Sequence, residues 1–252
     1  MKKSNLILII SIFYGIFLLL FPKFFPDFIL NPYKSSIGLI LSIIIYIVIF
    51  TIGIYFRLDE ADLSTKEISL IVIYSAFAAV ARIPFAVLPS VQPCSFLIFC
   101  AGYVFGPLLG FIIGANTALL SNFILGHGPW SIYQMFVWGI MGIIGGLLNL
   151  RKNKYPNKWL NSSVGFIYGF FYGWFSNLWF WILFIHPFNF ESFLLISIAS
   201  FYFDLSHAIS NAIFLFYFGN QTINILTRYR QRFLIEVHDL SLDEKFENYS
   251  SI

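Results

Sequence analysis

Asp204, His207 and Asn211 stand at i, i+3 and i+7 in the stretch FYFDLSHAISNAIF. That spacing puts all three on one face of a helix. A carboxylate, an imidazole and an amide on one face can hold a solute or ion, relay a proton, or lock a bundle through an internal Asp–His pair. At 1.5 Å rise per residue, Asp204 lies about 15 Å inside its apolar run. Asn177, in GFIYGFFYGWFSNLWFW, is about 12 Å deep by the same measure and sits beside Trp174, Trp179 and Trp181. An interfacial aromatic belt accounts for the tryptophans but not for the buried amide.

A second group lies on two short connections. The stretch IPFAVLPSVQPCS at 83–95 carries three prolines, follows Arg82 and contains Gln92. Proline stiffens a loop and lowers the entropy lost when it closes over a solute. Arg82 either snorkels to the headgroups or meets an anionic group. The other connection, GHGPWSIYQ at 126–134, brings together His127, Trp130, Tyr133 and Gln134 just after Asn122. Stacking faces beside hydrogen-bonding tips suit a flat organic ligand, although an interfacial re-entry loop has the same composition.

The elements that position these residues must live in lipid. Of 252 residues, 59% are hydrophobic and 11% are charged, with a mean hydropathy of +0.81. A soluble domain averages roughly 25% charged residues. A bilayer span needs about 20 mostly apolar residues, and apolar runs at 5–21, 36–56, 67–84, 95–106, 108–126, 132–150, 162–185 and 193–218 predict eight spans. The fourth is short and meets the fifth at Gly106-Pro107. With the N-terminus inside, twelve of the fifteen Lys and Arg residues fall on cytoplasmic segments, so both termini are expected in the cytoplasm. The acidic linker RLDEADLSTKE divides two N-terminal spans and their linker (1–66) from a six-helix core (67–219), and a cytoplasmic tail (220–252) follows. The fold class is thus an all-α integral membrane protein, multi-pass in the cell membrane.

Other chemistries leave no trace. The sequence contains no phosphate-binding G-x-x-x-x-G-K-[ST], no H-E-x-x-H zinc motif and no G-x-S-x-G elbow. Two cysteines, Cys94 and Cys100, make neither a disulfide framework nor a zinc site, and a net charge of +3 does not suit nucleic acid. An intramembrane hydrolase would need an activated nucleophile or a metal, and only Asp204 with His207 approaches that. We expect no enzyme, no metal and no resident cofactor. On the third apolar run, Ser75, Ala76, Ala78 and Ala79 form a small-residue face that could pack inside the bundle or dock another membrane protein.

Residues 70–232 resemble the substrate-binding, or S, component of energy-coupling factor (ECF) vitamin transporters. The resemblance is carried by VQPCSFLIFCAGYVFGPLLGFIIGANTALLSNFILGHGPWSIYQMFVWGIMGIIGGLL at 91–148, then FDLSHAISNAIF and the basic end RYRQR. Within it, the GPW-x-x-YQM stretch is the most specific part. The resemblance implies a six-helix core, a solute pocket near the outer surface closed by the loop 83–95, and Ser75 to Ala81 as the contact surface for a transmembrane coupling subunit. ATP would be bound by two ATPase subunits on separate chains. The two additional N-terminal spans depart from the six-helix pattern.

The resulting expectation is a membrane subunit that captures a vitamin or related small organic solute for an ATP-driven importer. The GPW-type loop resembles the cobalamin branch, so a corrinoid is the first expectation for the solute. Arg82 and Gln92 would serve the lid and any anionic group, and Trp130, Tyr133 and Gln134, with His127, would stack and hydrogen-bond. Asn122, Asn177, Asp204, His207 and Asn211 would line the floor, with Trp181 beside them. The alternative is a stand-alone proton-coupled secondary transporter using Asp204.

Overall fold

The computed structural model describes residues 65–128, 130–149, 156–185 and 189–232, with isolated positions between 6 and 60. Most of the expected spans at 5–21 and 36–56, most of the basic loop 150–159 and the end of the tail lie outside the described residues. Every regular element among the described residues is helical. They are α1 (Thr65–Arg82), α2 (Pro93–Phe105), α3 (Pro107–Leu125), α4 (Trp130–Asn149), α5 (Lys158–Phe184), α6 (Phe190–Ala199) and α7 (Phe201–Phe214). The helical path of α7 continues through one π-helical turn, Leu215–Gly219, to Arg232. Among the described residues three segments are long and apolar enough to cross a membrane: Ile68–Phe85, Pro107–Leu125 and Trp130–Asn149. The pair α6 and α7 makes a fourth if its bend is taken as one broken span.

Local chemistry sets the boundaries. Pro93 and Pro107 open α2 and α3, where a missing N–H leaves no intrahelical bond unmade. Between them Gly106 turns the chain at φ +94°. A side chain there would be strained. Asn157 caps α5 by accepting from the backbone N–H of Trp159 at 3.0 Å and of Leu160 at 3.3 Å. The apolar run expected as one span at 193–218 is instead broken. Asn189 and Ser192 form a reciprocal capping box that starts α6, and at Ser200 the chain bends by 61° into α7.

Helices α2, α3 and α4 approach until their backbones touch. A Cβ on Gly142 of α4 would overlap the carbonyl of Gly110 on α3, and one on Gly102 of α2 would overlap the carbonyl of Gly142. Such small-residue crossings replace the hydrophobic drive that lipid cannot supply. A second seam joins α5 to α7, where Gly169 meets the backbone of Ala208 and Gly173 meets Asp204. The core between the seams holds Trp138, Tyr133, Phe99 and Met141, all fully buried.

The four small residues of α1 divide between faces. Ser75, Ala78 and Ala79 are buried, and Ala76 is exposed. The outward face of α1 is formed by Val72, Ile73, Ala76, Phe77 and Val80. Three of the four small residues therefore pack α1 against its own bundle, and Ala76 alone of the four stands on the outward face.

Gly142→Leu forces the three-helix crossing apart and is expected to destabilise by about 1–3 kcal/mol or more, as overpacking does. Thermal unfolding in detergent should show a clearly lowered midpoint, while Leu147→Ala, on an exposed position of the same helix, should leave it nearly unchanged.

Candidate solute-binding site

Arg82 ends α1 and is buried. Burying a guanidinium is unfavourable unless its donors are met. Its Nε donates to Gln92 Oε1 at 2.9 Å, and its Nη1 donates to Ser121 Oγ and Asn122 Oδ1, each at 2.8 Å. Its Cζ lies 4.8 Å from the centroid of the Trp138 ring, within reach of a cation–π attraction. All four partners are neutral, so a full positive charge is held by dipoles and a ring face.

The network extends from there. Asn122 Nδ2 donates to Gln134 Oε1 at 2.7 Å and to Ser131 Oγ at 3.3 Å. Gln134 Nε2 reaches the Tyr172 hydroxyl at 3.5 Å. Gln134 and Trp138 are one helical turn apart on α4, so one face of that helix supplies both an amide and a ring. Trp138 stacks on Tyr172 at 5.7 Å between centroids, and Tyr172 lies 4.4 Å from the imidazole of His207.

His207 connects this stack to the lid. Its Nδ1 lies 2.8 Å from the carbonyl oxygen of Ser90, and a carbonyl can only accept, so Nδ1 carries a proton. Its Nε2 lies 3.2 Å from Ser95 Oγ, and Ser95 then donates to Nε2 of the neutral ring. Ser90 adopts φ +59°, an uncommon left-handed conformation for a residue with a side chain. The segment between α1 and α2, expected as a lid, is thus held at two points, Gln92 to Arg82 and Ser90 to His207.

The remaining expected residues sit apart. Asp204 is buried and accepts from Ser200 Oγ at 3.0 Å. It fills the space that Gly173 leaves open. Asn177 Nδ2 donates to the same Ser200 hydroxyl at 2.8 Å, so Asp204 and Asn177 belong to the α5–α7 seam. An Asp204–His207 pair is not formed; each residue meets a different neighbour. Trp181 donates to Ser192 at 2.8 Å and fastens α6. Asn211 is fully buried, and among the described residues neither polar atom of its side chain has a hydrogen-bond partner.

At the other margin, Trp130 packs on Trp179 at 5.6 Å. Tyr133 is buried edge-on to Phe175 at 6.1 Å. His127 Nδ1 lies 3.1 Å from Ser131 Oγ, and burial lowers its pKa, which favours the neutral imidazole.

Arg82, Gln92, Asn122, Gln134 and His207 therefore converge, joined by residues that sequence reasoning did not select: Ser90, Ser95, Ser121, Ser131, Trp138 and Tyr172. Trp138 carried a readable signal, because it follows Gln134 by four residues. Tyr172 carried only its place among many aromatics. The convergent groups satisfy one another, so a solute would enter by exchanging these hydrogen bonds. A cavity of about 620 Å3 lies elsewhere, between the end of α5 and α6, lined among others by Phe180, Ile185, Leu195 and Ile196.

A family model described as the ECF-type riboflavin transporter S component matches residues 62–222, from just before α1 to just beyond the π-helical turn of α7. Comparison with curated proteins gives no match, and comparison with solved structures gives none either. The family is named for riboflavin, so the cobalamin-type branch of the sequence resemblance is not confirmed, and the stand-alone proton-coupled transporter receives no support. The chain belongs to the ECF-type S components: a multi-pass membrane protein that serves as the substrate-binding subunit of an ECF transporter, and not an enzyme.

Proposed function

We propose that this S component captures riboflavin, or a closely related flavin, at the membrane face that carries the lid, and delivers it to an ECF importer. The observation that carries this reading is the convergence of Arg82, Gln92, Asn122 and Gln134 on the Trp138–Tyr172–His207 stack. A flavin offers a flat tricyclic ring for stacking and a pyrimidine edge on which N–H and C=O groups alternate. Side-chain amides carry a donor and an acceptor together and match such an edge. The buried guanidinium suits its electron-rich carbonyl oxygens. A corrinoid is far bulkier, with few hydrogen-bonding atoms on its ring, and suits a network of amides less well.

Binding in this reading is an exchange. Each hydrogen bond given up within the network contributes about 0.5–1.5 kcal/mol net, and the solute must restore each one. The lid follows, because Gln92 and Ser90 are held by the same Arg82 and His207 that the solute would engage. Asn122 forms the polar floor of the site. Trp130, Tyr133 and His127 border it, while Asn177 and Asp204 support it from the α5–α7 seam and Trp181 fastens α6 beside them. ATP hydrolysis belongs to separate ATPase subunits, reached through a transmembrane coupling subunit. The face of α1 open to that subunit is the row Val72, Ala76 and Val80.

Riboflavin binding is measured directly by quenching of flavin fluorescence on titration with purified protein. Gln134→Leu and Asn122→Ala should each weaken binding roughly 10-fold or more, since leaving a buried partner unpaired costs about 1–3 kcal/mol. Cyanocobalamin in excess should not displace the flavin; displacement, or cobalamin binding without flavin binding, would sink the flavin assignment.

Asp204→Asn separates the seam from the site. It should lower the thermal midpoint yet leave flavin affinity within about 2-fold, because Asp204 bonds Ser200 and not the network. Uptake into vesicles that lack the ATPase subunits, driven by a pH gradient and lost in Asp204→Asn, would restore the proton-coupled alternative.

A further inference from the structure

The end of α7 farthest from the lid carries a groove of about 190 Å3, lined among the described residues by Ile225, Arg228, Tyr229 and Arg232. These residues stand at i, i+3, i+4 and i+7, one continuous helical face. At roughly 30 Å3 per water the groove holds about six waters, enough for a phosphate group and its adjoining carbons. Arg228 and Arg232 are exposed, and among the described residues no carboxylate bonds either guanidinium.

Their level in the membrane follows from hydrogen bonds. Helix α4 runs from Trp130 to Asn149, about 30 Å at 1.5 Å per residue, which matches the hydrocarbon thickness of a bilayer. At its far end Asn149 Nδ2 donates to the carbonyl of Tyr103 at 2.7 Å. The next carbonyl, that of Val104, accepts from Arg230 Nη1. Arg230 thus ties α7 to the bundle where the hydrocarbon ends. Two residues of helix turn the chain by about 200°, so Arg228 and Arg232 face away from the bundle at the same level.

We infer that this groove binds the phosphodiester of an anionic phospholipid. Two guanidiniums one turn apart present parallel donors to phosphate oxygens. Ile225 and Tyr229 give the glycerol and first acyl carbons an apolar rest on the same face. The charge pattern of the sequence puts this end in the cytoplasm, where anionic headgroups attract basic residues next to a span. Commitment to a lipid over free phosphate rests on that apolar half of the groove and on its level at the hydrocarbon boundary. The inference needs the membrane reading and is independent of which solute the lid end accepts.

The test uses the full chain in detergent, unfolded in the presence of a thiol-reactive dye that reports the exposure of buried Cys94 and Cys100. Phosphatidylglycerol should raise the midpoint and remain bound in native mass spectra, whereas phosphatidylcholine of the same chain length and inorganic phosphate should do neither. R228Q/R232Q should lose the shift and the bound lipid while keeping the midpoint of lipid-free protein. If the double variant does not survive purification, R228Q and R232Q singly should each show a reduced shift. An equal shift in the variants, or with phosphatidylcholine, overturns the proposal. A shift given equally by inorganic phosphate overturns the lipid in favour of a simple anion site. Unchanged lipid retention with loss of coupling-subunit co-purification overturns it in favour of a protein contact.

Discussion

A guanidinium enclosed by apolar helices must have its donors met, because neither water nor lipid can meet them. Arg82 meets this condition with partners from three separate parts of the chain. Gln92 comes from the lid segment, Ser121 and Asn122 from α3, and Trp138 from α4. One residue therefore fixes where α1 ends, where the lid lies and how α3 faces α4. The arrangement is possible only because α2, α3 and α4 touch at Gly102, Gly110 and Gly142. A wider spacing of these helices would carry Asn122 and Trp138 beyond reach of a single side chain. Packing and site chemistry are thus one constraint seen at two depths of the same bundle.

The same constraint explains what sequence could reveal. The break at Gly106-Pro107 was legible, because proline chemistry is local. The break at Ser200 was not, since it falls inside an apolar run and hydropathy averages across it. The capping pair Asn189 and Ser192 is the local sign of that break, readable once the box is known to close. The small face of α1 was open to two readings for a different reason. In lipid the large apolar residues turn outward and the small and polar ones turn inward. Ser75, Ala78 and Ala79 obey that rule against their own bundle, with Ile73 and Phe77 on the opposite face.

Helical spacing likewise grouped Asp204 with His207 without saying which neighbours they meet. Three residues turn a helix by about 300°, so their side chains differ in direction by a sixth of a circle. That offset is enough to aim Asp204 at Gly173 on α5 and His207 at Ser95 on α2. Periodicity gives the face of a helix, whereas the chemistry of a site depends on which two helices that face divides between. Long-range contacts decide that division. This is why the Trp138–Tyr172–His207 stack, built from three helices, escaped a reading of the chain residue by residue.

A network that satisfies itself sets strict terms for a ligand. Every polar group a solute displaces must be matched, or a buried donor or acceptor is left alone at a penalty of about 1–3 kcal/mol. Discrimination then comes from wrong solutes leaving orphans more than from right solutes gaining contacts. Arg82 sharpens the effect, because a guanidinium offers donors and no acceptor. A candidate that replaces Gln92 or Asn122 on the guanidinium must itself bring an acceptor. The neutral tautomer of His207 adds the complementary demand, since its Nδ1 proton points at the Ser90 carbonyl and needs an acceptor if the lid lifts. Acceptors facing Arg82 and His207, a donor–acceptor edge for the amides, and a flat face for Trp138 and Tyr172 are the terms that the proposed flavin would have to meet.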